Sequence, residues 1–336
     1  MSGAAVSGAA ALRLHWRSFR FALPQALVTA HGALSERRGW LLRLERGDGA
    51  LGWGEAAPLA AGLAAAQAAA ASPAHLAALG LPSGTWPRSV LEGRLPALPP
   101  AFAFALGLAL AELDGLGSAA SGGWCPPPPS ALLLPAGPAG VEALAAALAM
   151  GPPPPAVKWK VASQADAVER QALEALLRLL PPPCRLRLDA NGGWDRPTAS
   201  AWAERLAGEA RLEWLEQPLP AADHQGLWAL AQRLPVALDE SLRSEAGPPP
   251  GWSGWQVRRP AVEGDPRPLL AALAAGAPRW MVSTALETGI GWRLVAHAAA
   301  LQQRGPTPTA PGLAPGWRPQ GGLFAADPAQ VWEAAV

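Results

Sequence analysis

The segment AVKWKVASQADAVERQALEALLRLLPPPCRLRLDA, residues 156–190, contains three predicted elements in close succession. Its first part, AVKWKV, alternates apolar residues with lysines, which is typical of a β-strand. Its middle part, ADAVERQALEALLRLL, spaces apolar residues as an amphipathic helix does. Its last part, RLRLDA, is again short and alternating. A strand, a helix and a second strand in this order predict two parallel strands that are joined by the helix.

The same alternation continues on both sides of this segment, from about residue 130 to about residue 300. The predicted strands are ALLLPAG, AVKWKV, RLRLDA, RLEWLEQ, VALDES, GWQVRRP and RWMVSTA. Helical patterns follow most of these strands, and runs of proline fall between the elements, where a missing N–H group removes no ladder hydrogen bond. Seven or eight such units favour a closed (β/α)8-type barrel over an open sheet. We therefore predict an α/β protein with a modified TIM barrel.

The N-terminal third of the chain has a different pattern. Residues 12–59 contain β-like runs, and the GDGA turn at residues 47–50 predicts a hairpin. We predict a loop at residues 24–38 and helices at residues 59–80 and 101–116, the last apolar on all sides and therefore buried. Together these features predict an α+β N-terminal domain at residues 1–125, a barrel domain at residues 126–314, and a C-terminal tail, residues 315–336, that returns to the first domain.

Composition narrows the class of protein. The 336 residues are 50% hydrophobic and 16% charged, with a net charge of +1, which gives no electrostatic reason to expect a nucleic-acid or acidic-membrane partner. The N-terminus has no basic segment of a signal peptide, and no apolar run is long enough to span a membrane. Cys125 and Cys184 have no metal or redox spacing. We expect a cytoplasmic protein that acts on a small molecule, as a monomer or a small homo-oligomer.

Charged residues stand at the C-terminal ends of five successive predicted barrel strands: Lys160, Asp189, Glu216, Asp239 and Arg259. Chemistry in barrels of this type takes place at these strand ends. Three carboxylates that meet there would repel one another strongly unless a divalent cation joined them. Oxygen ligands suit Mg²⁺, with Mn²⁺ as the alternative. For any one of the acids alone, a surface carboxylate or a helix cap is the simpler interpretation.

Lys158 and Lys160 are two residues apart in a strand and therefore share one face. On a half-exposed strand they would face water, but the acids on the following strands favour an inward orientation. A lysine beside a bound cation and an apolar wall can take a proton from a carbon next to a carboxylate, and the metal stabilises the resulting enediolate. We assign this role to Lys160. Lys158, one layer deeper, would help Lys160 to lose its proton through like-charge repulsion.

These residues resemble the enolase superfamily, in which a KxK strand precedes Asp, Glu and Asp on the next three strands. Within it, the chain most resembles the o-succinylbenzoate synthase family, through VKWKV, LRLDANGGW, LEWLEQPL, ALDES and VSTALETGIGW. GWGEAAPL and FALGLALAEL are similar to the capping domain of that family. The resemblance extends from about residue 12 to about residue 325, which is nearly the whole chain.

The resemblance implies Mg²⁺-dependent syn-dehydration of 2-succinyl-6-hydroxy-2,4-cyclohexadiene-1-carboxylate to 2-succinylbenzoate, a step of menaquinone or phylloquinone biosynthesis. It also implies that Lys160 removes the proton and returns it to the departing hydroxide, while Asp189, Glu216 and Asp239 hold the metal. The chain departs from the family at Arg259, which replaces a second lysine.

Arginine stays protonated and is a poor base, so Arg259 favours a one-base dehydration over racemisation. The side chain of the neighbouring Arg258 should point to the opposite face of the strand. Three alternatives stay open: an N-acylamino-acid racemase, a dipeptide epimerase, and a catalytically silent binding barrel.

Further candidates lie near these strand ends, and the predicted substrate-binding residues are Arg187, Asn191, Ser283, Thr284 and Gly312. Arg187 faces the interior two residues before Asp189 and is a candidate to pair with a substrate carboxylate, the alternative being a structural ion pair with Glu216 or Asp239. Asn191 is a candidate to orient a ligand.

Ser283 and Thr284 end the seventh strand and are candidates to bind the succinyl carboxylate, the alternative being helix capping near Glu287. Gly312 is a candidate to offer a backbone N–H group. We predict that Glu240 pairs with a lysine or an arginine. The predicted loop at residues 24–38, with Arg37 and Arg38, is a candidate to close over the substrate.

Overall fold

The structure, a computed structural model, describes residues 11–29, 32–59 and 73–335. In this part of the chain two sheets are present, a four-stranded antiparallel one and a seven-stranded parallel one. The first sheet, in the spatial order β3-β2-β1-β4, consists of β1 (Ala11–Thr29), β2 (Gly32–Arg46), β3 (Leu51–Ala56) and β4 (Gly84–Pro87). The second sheet, whose strands lie side by side in chain order, consists of β5 (Leu132–Leu134), β6 (Ala156–Lys160), β7 (Arg185–Asp189), β8 (Leu212–Glu216), β9 (Val236–Leu238), β10 (Trp255–Arg258) and β11 (Trp280–Val282).

The α-helices pack against both sheets. Those associated with the first sheet are α1 (Pro73–Ala78), α2 (Arg88–Arg94) and α3 (Pro100–Leu113). Those that connect the parallel strands or follow them are α4 (Ala139–Met150), α5 (Asp166–Leu179), α6 (Arg196–Leu206), α7 (His224–Ala231), α8 (Pro266–Ala274), α9 (Gly289–Gln303) and α10 (Pro328–Ala334). A 3₁₀ turn, Glu240–Leu242, stands where a helix would follow β9.

The N-terminal sheet confirms the predicted hairpin and the predicted buried helix. β2 and β3 pair antiparallel around the turn at residues 47–50, and α3 is buried along almost its whole length. Gly54 explains how close the two elements lie, because a Cβ atom at this position would stand 2.0 Å from the carbonyl oxygen of Ala105 on α3. The predicted helix at residues 59–80 falls largely on residues 60–72, outside the described residues, and α1 forms its last part.

The predicted loop at residues 24–38 is wrong. β1 and β2 continue as one long antiparallel ladder to the pair Thr29 and Gly32, with a register shift between Ala22 and Leu27. Pro24 falls in this irregular part. Because its N–H group is missing and the alternation is broken here, the sequence pattern does not predict a strand. Arg37 is fully buried and donates hydrogen bonds to the carbonyl oxygens of Ala57 (2.6 Å) and Pro58 (2.9 Å), so it does not close over a substrate.

The parallel sheet closes into a barrel through an irregular eighth segment. Ser283 forms a parallel bridge with Gly312, and the N–H group of Ala131 donates to the carbonyl oxygen of Pro311 (2.9 Å) at the other edge. The segment around residues 311–313 thus joins β11 to the start of β5. This architecture confirms the predicted α/β class, with seven regular strands and an eighth position that the residues around Gly312 fill.

The N-terminal sheet contacts elements of the barrel and of the C-terminal tail, for example through Glu55 and Trp53. Glu55 on β3 accepts hydrogen bonds from the backbone N–H groups of Thr288 and Gly291, both at 3.0 Å, at the N-terminus of α9. Trp332 on α10 packs against Trp53 on β3, with ring centroids 5.8 Å apart. The exact domain boundaries stay a prediction. Within residues 11–29, 32–59 and 73–335, no helix has both the length and the apolar character needed to cross a membrane.

Candidate active site

The register of the parallel strands brings the predicted lysine and acids side by side. Lys160 on β6 pairs with Asp189 on β7, and Asp189 pairs in turn with Glu216 on β8. Glu216 pairs with Ala237 on β9, and Asp239 follows two residues later on the same face. The three carboxylates are at most 1% exposed, and Lys160 is 8% exposed. Four charged side chains therefore meet, buried, at the C-terminal end of the barrel.

The backbone turns sharply just beyond these residues. Asn191 and Gln217 have positive φ angles, 45° and 36°, which non-glycine residues adopt only where the surroundings hold them. The buried amide of Gln217 accepts hydrogen bonds from the backbone N–H groups of Asp239 (3.1 Å) and Ser241 (3.0 Å). Gln217 thus fixes the end of the neighbouring strand and the position of Asp239, a role that the sequence analysis did not identify.

Lys158 joins two of the acids from beneath. Its ammonium nitrogen donates to Oε1 of Glu216 (2.6 Å) and lies 2.8 Å from Oδ2 of Asp189. Burial alone lowers the pKa of Lys158, but the charges of Asp189 and Glu216 outweigh it and hold this pKa above its ordinary value. Burial raises the pKa of Glu216 despite Lys158. Burial also opposes ionisation of Asp189, but Lys158 and Lys160 outweigh it and lower the pKa of that carboxyl.

Lys160 has different partners from Lys158. Its ammonium nitrogen donates to Oδ1 of Asn191 at 2.6 Å and stands 3.6 Å from Oδ2 of Asp189. The amide nitrogen of Asn191 in turn donates to Oε1 of Glu240 (3.0 Å). Burial, and then the charges of Asp239 and Asp189, raise the pKa of Glu240 to about 7. The prediction that Glu240 pairs with a lysine or an arginine is wrong, because its side-chain partner is this amide.

Two arginines hold Asp239. Arg259 donates from Nε to Oδ1 (3.0 Å) and from Nη2 to Oδ2 (2.7 Å), and Nη2 of Arg243 lies 2.7 Å from Oδ1. Burial opposes ionisation of Asp239, but Arg243 and Arg259 outweigh it and bring the pKa of this carboxyl below its ordinary value. Arg258 points to the other face, as predicted, and donates to Glu263 (2.7 Å). The sequence analysis missed Arg243, which belongs to no regular element.

These charged groups form one end of a cavity of about 570 Å³. This volume lies in the usual range for a small-molecule site. Apolar side chains from both parts of the molecule form its walls, among them Leu34 and Leu59 of the N-terminal region and Leu133 and Leu286 of the barrel. The charged and polar residues that line it are Lys158, Lys160, Asp189, Asn191, Asp239, Glu240, Arg243, Ser244, Arg259, Ser283 and Thr284.

Three of the predicted substrate-binding residues line this cavity with their donors already engaged. Ser283 donates its hydroxyl to the carbonyl oxygen of Gly312 (3.1 Å), and Thr284 donates its hydroxyl to Glu287 (2.5 Å). The N–H group of Gly312 donates to the carbonyl oxygen of Val282 (2.8 Å) in the barrel ladder. The prediction that Gly312 offers this N–H group to a ligand is therefore wrong.

Arg187 lies elsewhere, and its predicted contact with a substrate is also wrong. Its side chain is fully buried and does not line the cavity. It donates from Nε to Glu213 (2.7 Å) and from Nη2 to Thr309 (2.8 Å), while its guanidinium stacks on Trp214 at 4.2 Å. Arg187 faces the interior of the barrel, as predicted. However, it lies one layer below Asp189, and its partners belong to the opposite end of the barrel. Arg187 therefore forms a structural ion pair, but its partner is Glu213 and not Glu216 or Asp239.

The choice of lysine at this site is informative. Lys158 and Lys160 are the only two lysines in the chain, and every other one of the 27 lysine and arginine residues is an arginine. Apart from the histidines, every other basic residue of the chain is therefore an arginine, which cannot lose its proton in a protein. Lysine, whose side chain can exist without its charge, is present only on β6.

The chain is similar to proteins of known family. A family model described as Enolase C-terminal domain-like matches residues 141–247. The o-succinylbenzoate synthase of Thermosynechococcus vestitus (strain NIES-2133 / IAM M-273 / BP-1) is 35% identical over 304 residues, 85% of this chain and 88% of that protein. The enzyme of the same name from Enterobacter sp. (strain 638) is 30% identical over 84% of this chain and 85% of its own length.

A solved structure shows the same similarity to o-succinylbenzoate synthases. The crystal structure of o-succinylbenzoate synthase from Thermosynechococcus elongatus BP-1, complexed with Mg in the active site, has a TM-score of 0.76 at 32% identity, covering 96% of this chain and 99% of that chain. The barrel with its antiparallel N-terminal sheet is thus that of the enolase superfamily. Identity at this level over most of both chains shows that the chain belongs to the o-succinylbenzoate synthase family.

Proposed function

We propose that the protein is an o-succinylbenzoate synthase, a lyase that removes water from 2-succinyl-6-hydroxy-2,4-cyclohexadiene-1-carboxylate to give 2-succinylbenzoate. The relatives of this name match most of the chain. The observation that carries the proposal is the difference between the two lysines. Both lysines line the cavity, but Lys158 is held between two carboxylates, whereas Lys160 has Asn191 as its closest partner. This difference supports Lys160, and not Lys158, as the lysine that acts on a substrate.

The three acids fit a divalent cation such as Mg²⁺. Oε2 of Glu216 is buried without any hydrogen-bond partner, and a hard cation is a suitable partner for such an oxygen. In the part of the chain that the structure describes, no three acidic, histidine or cysteine side chains already stand together as a cation site. Cationic side chains, from Lys158 to Arg243 and Arg259, pair with the acids instead. Asp189, Glu216 and Asp239 would hold the metal once these ion pairs rearrange.

The chemistry follows from the placement of the side chains. Bound Mg²⁺ would stabilise the negative charge that develops on the substrate carboxylate when the neighbouring C–H bond breaks. Lys160, in its neutral form, accepts that proton on Nζ. A carbon–carbon double bond forms as the C–O bond breaks, and Lys160 returns the proton to the departing hydroxide, so that water leaves and the ring becomes aromatic. One group serves as base and then as acid, which requires that both bonds break on the same face of the ring.

Arg259 supports this course because it is engaged as a cation. It makes hydrogen bonds to Asp239 and to the carbonyl oxygen of Thr284, and it stays protonated at any working pH. It adds positive charge across the cavity and does not exchange a proton. A racemase or an epimerase of the same superfamily, the competing function, needs a base on each side of the carbon.

The direct test follows the ultraviolet absorbance of 2-succinylbenzoate as it forms from the cyclohexadiene substrate in the presence of Mg²⁺. We expect turnover with Mg²⁺ and none after chelation. Incubation of N-acylamino acids and of dipeptides in D₂O tests the competing function, since racemisation or epimerisation washes deuterium into the α-carbon from both faces. Racemisation without aromatisation would overturn the proposal. Function in menaquinone or phylloquinone synthesis, a cytoplasmic location and a monomeric or small homo-oligomeric state stay predictions.

A further inference from the structure

Arg243 is the cavity arginine with an unused nitrogen. It follows the 3₁₀ turn after β9, lines the cavity, and has a side chain that is 24% exposed. Its Nη2 pairs with Asp239, but its Nη1 is buried and has no hydrogen-bond partner. A buried donor without a partner destabilises a folded protein, and more so when it is charged. A ligand that accepted a hydrogen bond from this nitrogen would remove that penalty.

The other cations of the cavity are committed to protein groups. Lys158 lies between Asp189 and Glu216, and Arg259 bonds Asp239 and the carbonyl oxygen of Thr284 through its three nitrogens. Lys160 is the proton-transfer group and therefore stays with the reacting carbon. Among the cavity cations in the described ranges, Arg243 alone has an entire terminal nitrogen buried and unpaired.

The substrate of the proposed function has two carboxylates. The ring carboxylate is attached to the carbon that loses its proton and belongs beside Lys160 on β6, the second barrel strand. The carboxylate at the end of the succinyl arm needs a separate partner. Arg243 follows the fifth barrel strand and so stands on a different part of the barrel mouth. The hydroxyl protons of Ser283 and Thr284 are already donated to protein oxygens, and Arg187 lies outside the cavity.

We propose that Arg243 binds the succinyl carboxylate through Nη1 and thereby makes the site selective for dicarboxylates. This inference rests on the proposed function and adds to it the residue that recognises the arm of the substrate. Arg243 follows Asp239 by four residues, so a guanidinium that gives Nη1 to the substrate also holds the succinyl arm close to one of the proposed metal ligands. The arm and the reacting end are then fixed relative to each other.

The test is equilibrium binding of two ligands at saturating Mg²⁺, measured by titration calorimetry. 2-Succinylbenzoate carries both carboxylates, whereas 2-butanoylbenzoate has the same ring and ketone but a methyl group in place of the terminal carboxylate. We expect the wild-type protein to prefer 2-succinylbenzoate by at least about tenfold. Arg243→Gln should lose about tenfold to a hundredfold in affinity for 2-succinylbenzoate and keep its affinity for 2-butanoylbenzoate within about twofold.

The comparison of ligands separates recognition from a structural effect. A general disturbance of Asp239 or of metal binding would weaken both ligands equally, and such a result would overturn the inference. Arg243→Lys keeps the charge and should recover part of the preference. Wild-type protein that binds the two ligands equally would also overturn it, even if Arg243→Gln did not fold. Failure of the proposed function is a separate outcome, since wild-type protein would then form no 2-succinylbenzoate from the cyclohexadiene.

Discussion

The ammonium nitrogen of Lys158 lies 2.6 Å from Oε1 of Glu216, and the two residues are 58 positions apart in the chain. This contact, with the 2.8 Å approach of the same nitrogen to Asp189, places a fixed positive charge among the acids that we assign to the metal. The protein thus neutralises part of its own carboxylate cluster. Lys158 and a bound cation serve the same electrostatic purpose, and the balance between them can be measured.

Replacement of Lys158 by methionine should make folding depend on Mg²⁺. The change leaves two buried carboxylates without their cation, which typically destabilises a protein by about 3–5 kcal/mol. Added Mg²⁺ should recover much of this loss, because a cation that binds only the folded state stabilises it. The measurement is urea unfolding of Lys158→Met and wild type, each with and without MgCl₂.

A matched control is Arg205→Gln, which breaks an exposed ion pair with Glu174 and should change the free energy of unfolding by no more than about 1 kcal/mol. If Mg²⁺ stabilises Lys158→Met no more than it stabilises wild type, the three acids do not hold the metal as proposed.

Replacement of Lys160 by arginine should abolish turnover while the fold stays intact. Arginine keeps the positive charge beside Asn191 but cannot accept the proton, and loss of a general base typically lowers kcat by about 10²–10⁴-fold. Lys160→Ala should lose activity in the same way. The measurements are the aromatisation rate and the thermal unfolding midpoint. Appreciable activity in either variant would remove Lys160 from the role of base.

The reciprocal change at Arg259 should have the opposite outcome. Arg259→Lys keeps a cation near Asp239, and because only the charge is needed there, we expect kcat/KM within about tenfold of wild type. Arg259→Met removes the charge and should lower kcat/KM much further. The two variants are compared in the same aromatisation assay. Equal losses in both would show that the guanidinium shape, and not the charge, is what the reaction requires.

Glu55 should make stability depend on pH near neutrality. Burial raises the pKa of Glu55 to about 7 from its ordinary value of 4.5, because its hydrogen bonds from Thr288 and Gly291 only partly offset the lost hydration. The folded protein therefore binds this proton more tightly than the unfolded chain does. The stabilisation is fully present below about pH 4.5 and is lost as the pH rises through about 7, with a total of about 3 kcal/mol.

Glu55→Gln resembles the protonated side chain and should reduce this dependence, leaving the part that Glu240, whose pKa burial also raises to about 7, contributes. The measurement is the free energy of unfolding at a series of pH values between 4.5 and 8, for wild type, Glu55→Gln and the exposed control Glu333→Gln. We expect wild type and the control to lose stability in parallel over this range. A slope in Glu55→Gln equal to that of wild type would show that another group binds the proton.

The sequence predicted those features that follow from periodicity. Alternation placed Lys158 and Lys160 on one face, and the strand ends located the acids because chain register alone brings parallel strand ends to one rim. Depth along the barrel axis was not predictable. Arg187 faces the interior as expected, yet two residues of strand separate it from the cavity and bring it to Glu213. Side-chain alternation predicts which face of a strand a residue points to, but not how far along the barrel axis the residue lies.

Residues outside regular elements were the hardest to predict. Arg243 stands after a 3₁₀ turn, where no period indicates which way a side chain points. The strand around Pro24 was missed because its partner lies across a hairpin and its ladder is broken there. Gly312 was predicted to offer its backbone N–H group to a ligand, but the hydrogen bond of this group depends on the closed barrel, which local sequence does not describe.

The segment that closes the barrel has a consequence for biosynthesis. Ser130 and Ala131, at one side of the seam, bond Pro311 and Leu313 at the other, so translation delivers the two sides far apart in time. Until the second side leaves the ribosome, β5 and β11 each present an edge of unpaired backbone groups, and such edges recruit strands from other chains. The nascent polypeptide is therefore most exposed to misassembly late in its synthesis, when both edges are present and unpaired. This exposure ends when the segment around residues 311–313 pairs with β5 and β11.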